Sequence, residues 1–237
     1  MIPKAQTGIP TLDEILKGGI PRKRSVILAG GCGTGKTVMS EQFLFAGAKT
    51  GEVGLYLSLT EPKDKILEDL MEFSFYDQHL VDSGKLPIID ISYDARLHGV
   101  GLSSADGMCG LISKIIQETK AKRVVIDSLT AMVANLGDEE RIRGFIYDLG
   151  RQLRSLECTT IMISETAPQT MKYSVYGFEE FIADGVMLIT DFERKGELLR
   201  AFQVIKMRGV KHSRNKYVLE ILEDGIHLIP LFKAGIE

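Results

Sequence analysis

SVILAGGCGTGKTVMSEQF, residues 25–43, decides how this chain is read. SVILA (25–29) is a short apolar run of the kind that forms a buried strand, and Thr37 to Lys49 carries Met39, Phe43 and Ala46 at helical intervals. Between them GGCGTGKT (30–37) matches G-x-x-x-x-G-K-[ST], the Walker A phosphate loop, in the context that motif requires. The glycines let successive backbone N–H groups turn toward a phosphate, and the helix amino end adds its positive pole. In that arrangement Gly31, Cys32, Gly33, Thr34, Gly35, Lys36, Thr37 and Val38 form the cradle. Lys36 would neutralise the β- and γ-phosphates, and the Thr37 hydroxyl would join a Mg2+ shell. A glycine-rich turn matching by chance is the competing reading, and the flanking strand and helix weigh against it. Cys32 reads either as a thiol activated by the helix amino end or as a tolerated small residue.

Outward from the loop, short aliphatic runs alternate with helical stretches. GLYLSL (54–59) precedes a helix near Lys63 to Phe73, and RVVID (123–127) follows one over Met108 to Thr119. TTIMIS (159–164) follows the clearest helix, Asp138 to Leu156, with Ile142, Phe145, Ile146, Leu149 and Leu153 on one side. GVMLIT (185–190) completes the set. Such alternation predicts an α/β fold with a mostly parallel central sheet flanked by helices. The region 76–102 is less regular, with one expected strand at PIIDIS (87–92). RAFQVIKMR (200–208), KYVLEIL (216–222) and GIHLI (225–229) are strands joined by short turns, which predicts a C-terminal antiparallel extension of the same sheet.

With 237 residues, 44% hydrophobic and 26% charged, the chain suits one domain spanning 1–237. No apolar run is long enough to cross a bilayer, and MIPKAQTG lacks the apolar stretch of a secretory signal, so a cytoplasmic location is expected. Three separated cysteines and four histidines show no metal-ligand spacing. A net charge of −3 argues against nucleic-acid binding through the overall field.

A second motif supports the first. RVVIDS ends an apolar strand in Asp127, placed to hold Mg2+ at the carboxyl edge of a parallel sheet, although an isolated Asp there would equally cap the next element. Hydrolysis also needs a group that aligns or deprotonates water. YLSLTEP delivers Thr60 and Glu61 to the same edge, in the expectation one strand along from the phosphate loop, and Glu61 is the candidate base. A first-turn acidic residue favouring the next helix is the plainer reading of Glu61.

TGIPTLDEILKGGIPRKRSVILAGGCGTGKT, RVVIDS, TTIMISE, YGFEEFIADGVMLI and the closing IKMRGVKHSRNKYVLEILEDGIHLIP together resemble the KaiC-like ATPases of the RecA/RadA superfamily, over nearly the whole chain. The resemblance implies a RecA-like P-loop NTPase core, a hexameric ring, and ATP with Mg2+ bound between neighbouring subunits. It implies an ATPase used as a conformational switch, read by a regulatory protein partner. In that family two adjacent acidic residues follow the second strand; here they are Thr60 and Glu61, so one carboxylate is missing and slow turnover is expected. Ser164 and Glu165 stand where related proteins sense the γ-phosphate. Glu180 and Phe181 occupy the positions of a phosphorylated Ser-Thr pair, which disfavours autokinase activity, with Thr170, Ser174 and Tyr176 as nearby hydroxyls.

A single-stranded DNA-binding, recombinase-like ATPase is the alternative from another class. Its DNA loops would be LTAMVANLGDEE (129–140), without a lysine or arginine, and TAPQTMKYSVYGFEE (166–180), with one lysine. A backbone-tracking groove needs more positive charge than that.

Residues 194–216 hold eight Lys or Arg and a single acidic residue, Glu197. Lys206 and Arg208 are two apart in a strand-like run and so share a face. On composition they read as a solvated strand face. The resemblance implies instead that both reach across a subunit boundary to the neighbour's γ-phosphate, with His212 nearby, as an arginine finger supplied in trans.

Overall fold

The computed structural model describes residues 2–91, 105–134, 136–167 and 173–231. In chain order the elements are β1 (Lys4–Ala5), α1 (Pro10–Ile15), β2 (Ile20–Pro21), β3 (Ser25–Gly30), α2 (Lys36–Lys49), β4 (Gly54–Ser58), α3 (Lys63–Leu70), α4 (Gln78–Asp82) and β5 (Ile88–Asp90). There follow α5 (Ala105–Thr119), β6 (Arg123–Asp127), α6 (Leu129–Val133), α7 (Glu139–Ser155), β7 (Thr159–Glu165), α8 (Glu179–Ile182), β8 (Gly185–Arg194), β9 (Glu197–Met207), β10 (Lys216–Leu222) and β11 (Gly225–Pro230).

Nine strands form one sheet in the order β11-β10-β9-β8-β3-β7-β6-β4-β5. Pairings from β8 through β5 are parallel, and β8 to β11 are antiparallel, as the sequence pattern predicts. Alternation along β3 assigns its side chains to two cores. Val26 and Leu28 pack with α1, α2 and α3 on one face, while Ile27 and Ala29 pack with α5, α6 and α7 on the other. Helix α7 buries Ile142, Phe145, Ile146, Leu149 and Leu153, about 1.5–3 kcal/mol each by apolar transfer. Asp138 caps it by accepting from the Arg141 N–H.

Three expectations change. Glu61 does not follow a strand beside β3: β7 and β6 lie between β3 and β4. Sequence order and sheet order part here because the crossovers through α5 and α7 insert two later strands into the gap. Helix α3 stops at Leu70 rather than at Phe73, so that Phe75 turns back onto Phe45, with ring centroids 5.7 Å apart. Strand β9 ends at Met207, which leaves Arg208 in the turn beyond it. The short elements β1, β2, α1, α4, α6 and α8 are too brief for periodicity to announce. Within the expected strand at 87–92, β5 covers Ile88–Asp90, and residue 92 lies outside the described residues.

A buried cation pins the amino-terminal segment to the sheet. Arg123, at the start of β6, donates to the carbonyls of Gln6 and Phe43 and to Glu52 Oε2, and its guanidinium lies 4.6 Å from the Phe43 ring centroid. Glu52 also pairs with Arg22. Burial works to raise the Glu52 carboxyl, but the hydrogen bonds and charges of Arg123 and Arg22 hold it below its ordinary value.

Candidate functional site

The loop between β3 and α2 emerges at the carboxyl edge of the parallel strands. Gly33 and Gly35 have φ of +72° and +96°, and a side chain on Gly35 would also strike Ile221 Cδ1 of β10 at 2.9 Å. Only glycine combines that backbone with that packing. The loop is closed on itself: Lys36 Nζ donates to the Gly31 carbonyl at 2.6 Å, and Thr34 Oγ1 donates to the same oxygen at 2.9 Å. Cys32 and Gly33 are exposed, Gly31 and Gly35 half-buried, and Val38 packs against the core. Burial lowers the Lys36 ammonium's pKa, opposed by the negative charges of Glu165 and Asp127.

Helix α2 is buried on nearly every side, lying against β3, β4 and β6 and against the β11 end of the same sheet. Gln42 ties these together, donating to the Gly8 carbonyl and accepting from the Ile226 N–H. The first turn of α2 is thereby fixed against the end of β6. Thr37 Oγ1 donates to Asp127 Oδ2 at 3.2 Å, and the Tyr56 hydroxyl of β4 donates to the same oxygen at 2.6 Å. Burial raises the Asp127 carboxyl, while those two hydrogen bonds and the Lys36 charge pull it down. Two hard oxygen donors in contact, beside a lysine and a ring of loop N–H groups, are a donor set that suits Mg2+ with a polyphosphate.

Glu41, one turn beyond Thr37 on α2, was not singled out from the sequence. It is 5% exposed and makes no hydrogen bond or ion pair among the described residues, although its carboxyl oxygens are not fully sealed from water. Burial pushes its carboxyl well up, and the charges of Asp127, Asp69 and Glu61 add to the effect. Glu61 itself is half-exposed, its carboxylate accepting from Lys65 Nζ at 2.9 Å, and Thr60 is exposed. On β7, Ser164 is buried and Glu165 exposed, with the Glu165 N–H donating to Thr130 Oγ1 at 2.9 Å.

Lys206 and Arg208 lie elsewhere. Register places Lys206 opposite Val186, and Val186 opposite Ile27, three residues before the end of β3. Lys206 Nζ donates to the carbonyls of Glu180 and Ala183, at 2.8 and 2.7 Å, and Arg208 donates to that of Phe181 at 3.2 Å. Burial and the Arg208 charge lower the Lys206 ammonium's pKa. A bulge brings them together: Val186 pairs with Lys206 but Met187 with Val204, so Ile205 is extra. Were Ile205 paired in a regular ladder, Lys206 would follow Phe202 and Val204 into the apolar face, where Met207 sits instead. His212 lies between β9 and β10, half-buried, its Nδ1 2.9 Å from the Ser213 carbonyl.

At the opposite end of β9 is a cation the sequence reading passed over. Arg200 Nε donates to the Gly33 carbonyl at 3.1 Å, inside the phosphate loop of the same chain. Of the hydroxyls near the expected phosphorylation positions, Ser174 is buried and pairs with Glu180, while Thr170 lies outside the described residues.

A strand, a glycine loop and a helix at the edge of a sheet of this order, with an aspartate from β6, one strand removed from β3, on the threonine that opens α2, define a RecA-like P-loop protein. A family model described as "ATPase: KaiC" matches residues 5–233. The chain belongs to this KaiC-like ATPase family. It is 34% identical to a UPF0273 protein of Thermotoga maritima, covering 97% of each. It is likewise 34% identical to the circadian clock oscillator protein KaiC of Parathermosynechococcus lividus, where it covers 97% of this chain but 43% of that one. Among solved structures, a KaiC-like protein from the hyperthermophilic archaeon Pyrococcus horikoshii superposes with a TM-score of 0.85 at 33% identity, over 97% of this chain and 100% of that one.

Proposed function

We propose that this protein, as one domain, binds Mg·ATP at the boundary between subunits of a hexameric ring and hydrolyses it slowly, using the bound triphosphate as a conformational switch. The carrying observation is the distance between two halves of one site. Lys206 is about 10 Å down the sheet from the end of β3, at about 3.3 Å per residue, and two strands across from it. The phosphate loop therefore meets Arg200 of its own chain, whereas Lys206 and Arg208 sit at the opposite end of β9, held by the carbonyls of Glu180, Phe181 and Ala183, and would serve a neighbour's nucleotide from there.

In this reading the loop N–H groups from Gly31 to Val38, with Lys36, hold the phosphates, and Thr37 and Asp127 hold Mg2+. The cation supplies charge neutralisation at the β- and γ-phosphates when bound. Glu61 orients the attacking water once it leaves Lys65, and Arg208 of the adjoining subunit, with its Lys206 and His212, stabilises charge on the transferred phosphoryl group. Differential binding of ATP to the closed ring is the free energy that a regulatory protein partner would read.

The test is to measure mass in solution with and without ATP, alongside phosphate release. An ATP-dependent ring with low turnover is expected; a monomer in both conditions that nevertheless hydrolyses ATP would overturn the shared-site reading.

A further inference from the structure

Glu41 is the least explained group in the interior. Glu41 is 5% exposed and has no protein partner among the described residues, yet Thr160 Oγ1 alone is both sealed from water and unpaired there, so the Glu41 carboxyl oxygens keep an opening onto solvent through which a ligand can reach them. Its position says which. Residues four apart on a helix lie on one face, so Glu41 stands one turn behind Thr37, whose hydroxyl touches Asp127. The groups whose charges reach Glu41 are Asp127, Asp69 and Glu61, and its own charge reaches Tyr56, the second donor to Asp127. Glu41 therefore lies on the helix face that carries Thr37, one turn along from the candidate metal ligands.

We infer that Glu41 is a positioning residue of the Mg·nucleotide site, accepting hydrogen bonds from the hydration shell of the cation held by Thr37 and Asp127. Mg2+ sheds water reluctantly and is bound through few protein oxygens, so its remaining waters need acceptors. Outer acceptors of this kind orient a metal site almost as strongly as its ligands do. The inference rests on the proposed nucleotide reading and adds to it a residue that neither phosphate-loop motif contains.

The test uses the full chain loaded with ADP, which is not consumed, so that binding is read without turnover. Mg2+ is titrated into the ADP complex by calorimetry for the natural protein, Glu41→Gln and Glu41→Leu, and each nucleotide-free protein is melted. Both variants should bind Mg2+ about 10-fold or more weakly while binding ADP alone normally. The nucleotide-free Glu41→Leu protein should melt no lower than the natural one, because its buried carboxyl has been removed. Unaltered Mg2+ affinity overturns the assignment. So does a lower melting temperature in both variants with ADP binding lost in parallel, the pattern of a purely structural residue. Failure of the natural protein to bind ADP would overturn the nucleotide reading itself, a result distinct from either.

Discussion

Arg200 Nε donates to the Gly33 carbonyl at 3.1 Å, although 167 positions separate the two residues. Six residues later on the same strand, Lys206 is bonded to the carbonyls of Glu180 and Ala183. One antiparallel strand thus serves the carboxyl edge of the sheet with one cation and the opposite edge with another. This difference can be read in mixed rings. Lys36→Ala and Arg208→Ala subunits should each lose about 1,000-fold in turnover alone and recover part of it when mixed, since each supplies the other's intact half-site. Lys36→Ala mixed with Arg200→Ala should recover nothing, because both lesions fall on the same chain's loop. Recovery in the second mixture, or none in the first, would refute the assignment of halves.

Glu61→Gln should leave ATP binding and assembly unchanged and lower phosphate release about 100-fold or more. Because Glu61 is paired with exposed Lys65, Lys65→Ala should not reduce turnover; a solvent-screened surface pair of this kind contributes little. Full activity in Glu61→Gln would remove it as the base.

Glu52 makes a stability prediction with a pH sign. Its folded carboxyl is held below the ordinary value of 4.5, so the stabilisation is present above that pH and is lost as pH falls through the folded value. Glu52→Gln should cost about 2 kcal/mol at neutral pH, since Arg123 is only 2% exposed and loses its charged acceptor. Urea unfolding should show the gap closing in acid, and a gap that persists below that range would contradict it.

Single-stranded DNA should not be retained at moderate salt. Within 129–140, Leu129–Val133 form the short helix α6, and the acidic residues Asp138, Glu139 and Glu140 make the capped start of α7. Lys172, the lysine of the second segment, lies outside the described residues. Filter binding with a steep salt dependence would reopen the recombinase reading.

What the amino-acid order determined was local. Glycines and a lysine between an apolar strand and a helix specify a phosphate loop wherever they occur, and period-two and period-3.6 patterns are set by neighbours a few residues away. Hence SVILA, RVVID, α7 and the antiparallel strands were legible, as was Asp127 at the end of its strand. The family resemblance supplied the reason to look at Lys206, Arg208 and His212. Tertiary structure alone decided the strand order that sets Glu61 apart from the loop, the bulge that turns Lys206 out of the core, and the contact of Arg200 with Gly33. It also decided that Glu41, an unremarkable glutamate in a helix, is buried behind Thr37. Each of these depends on which distant segment the sheet brings alongside, and no periodicity within a segment carries that information.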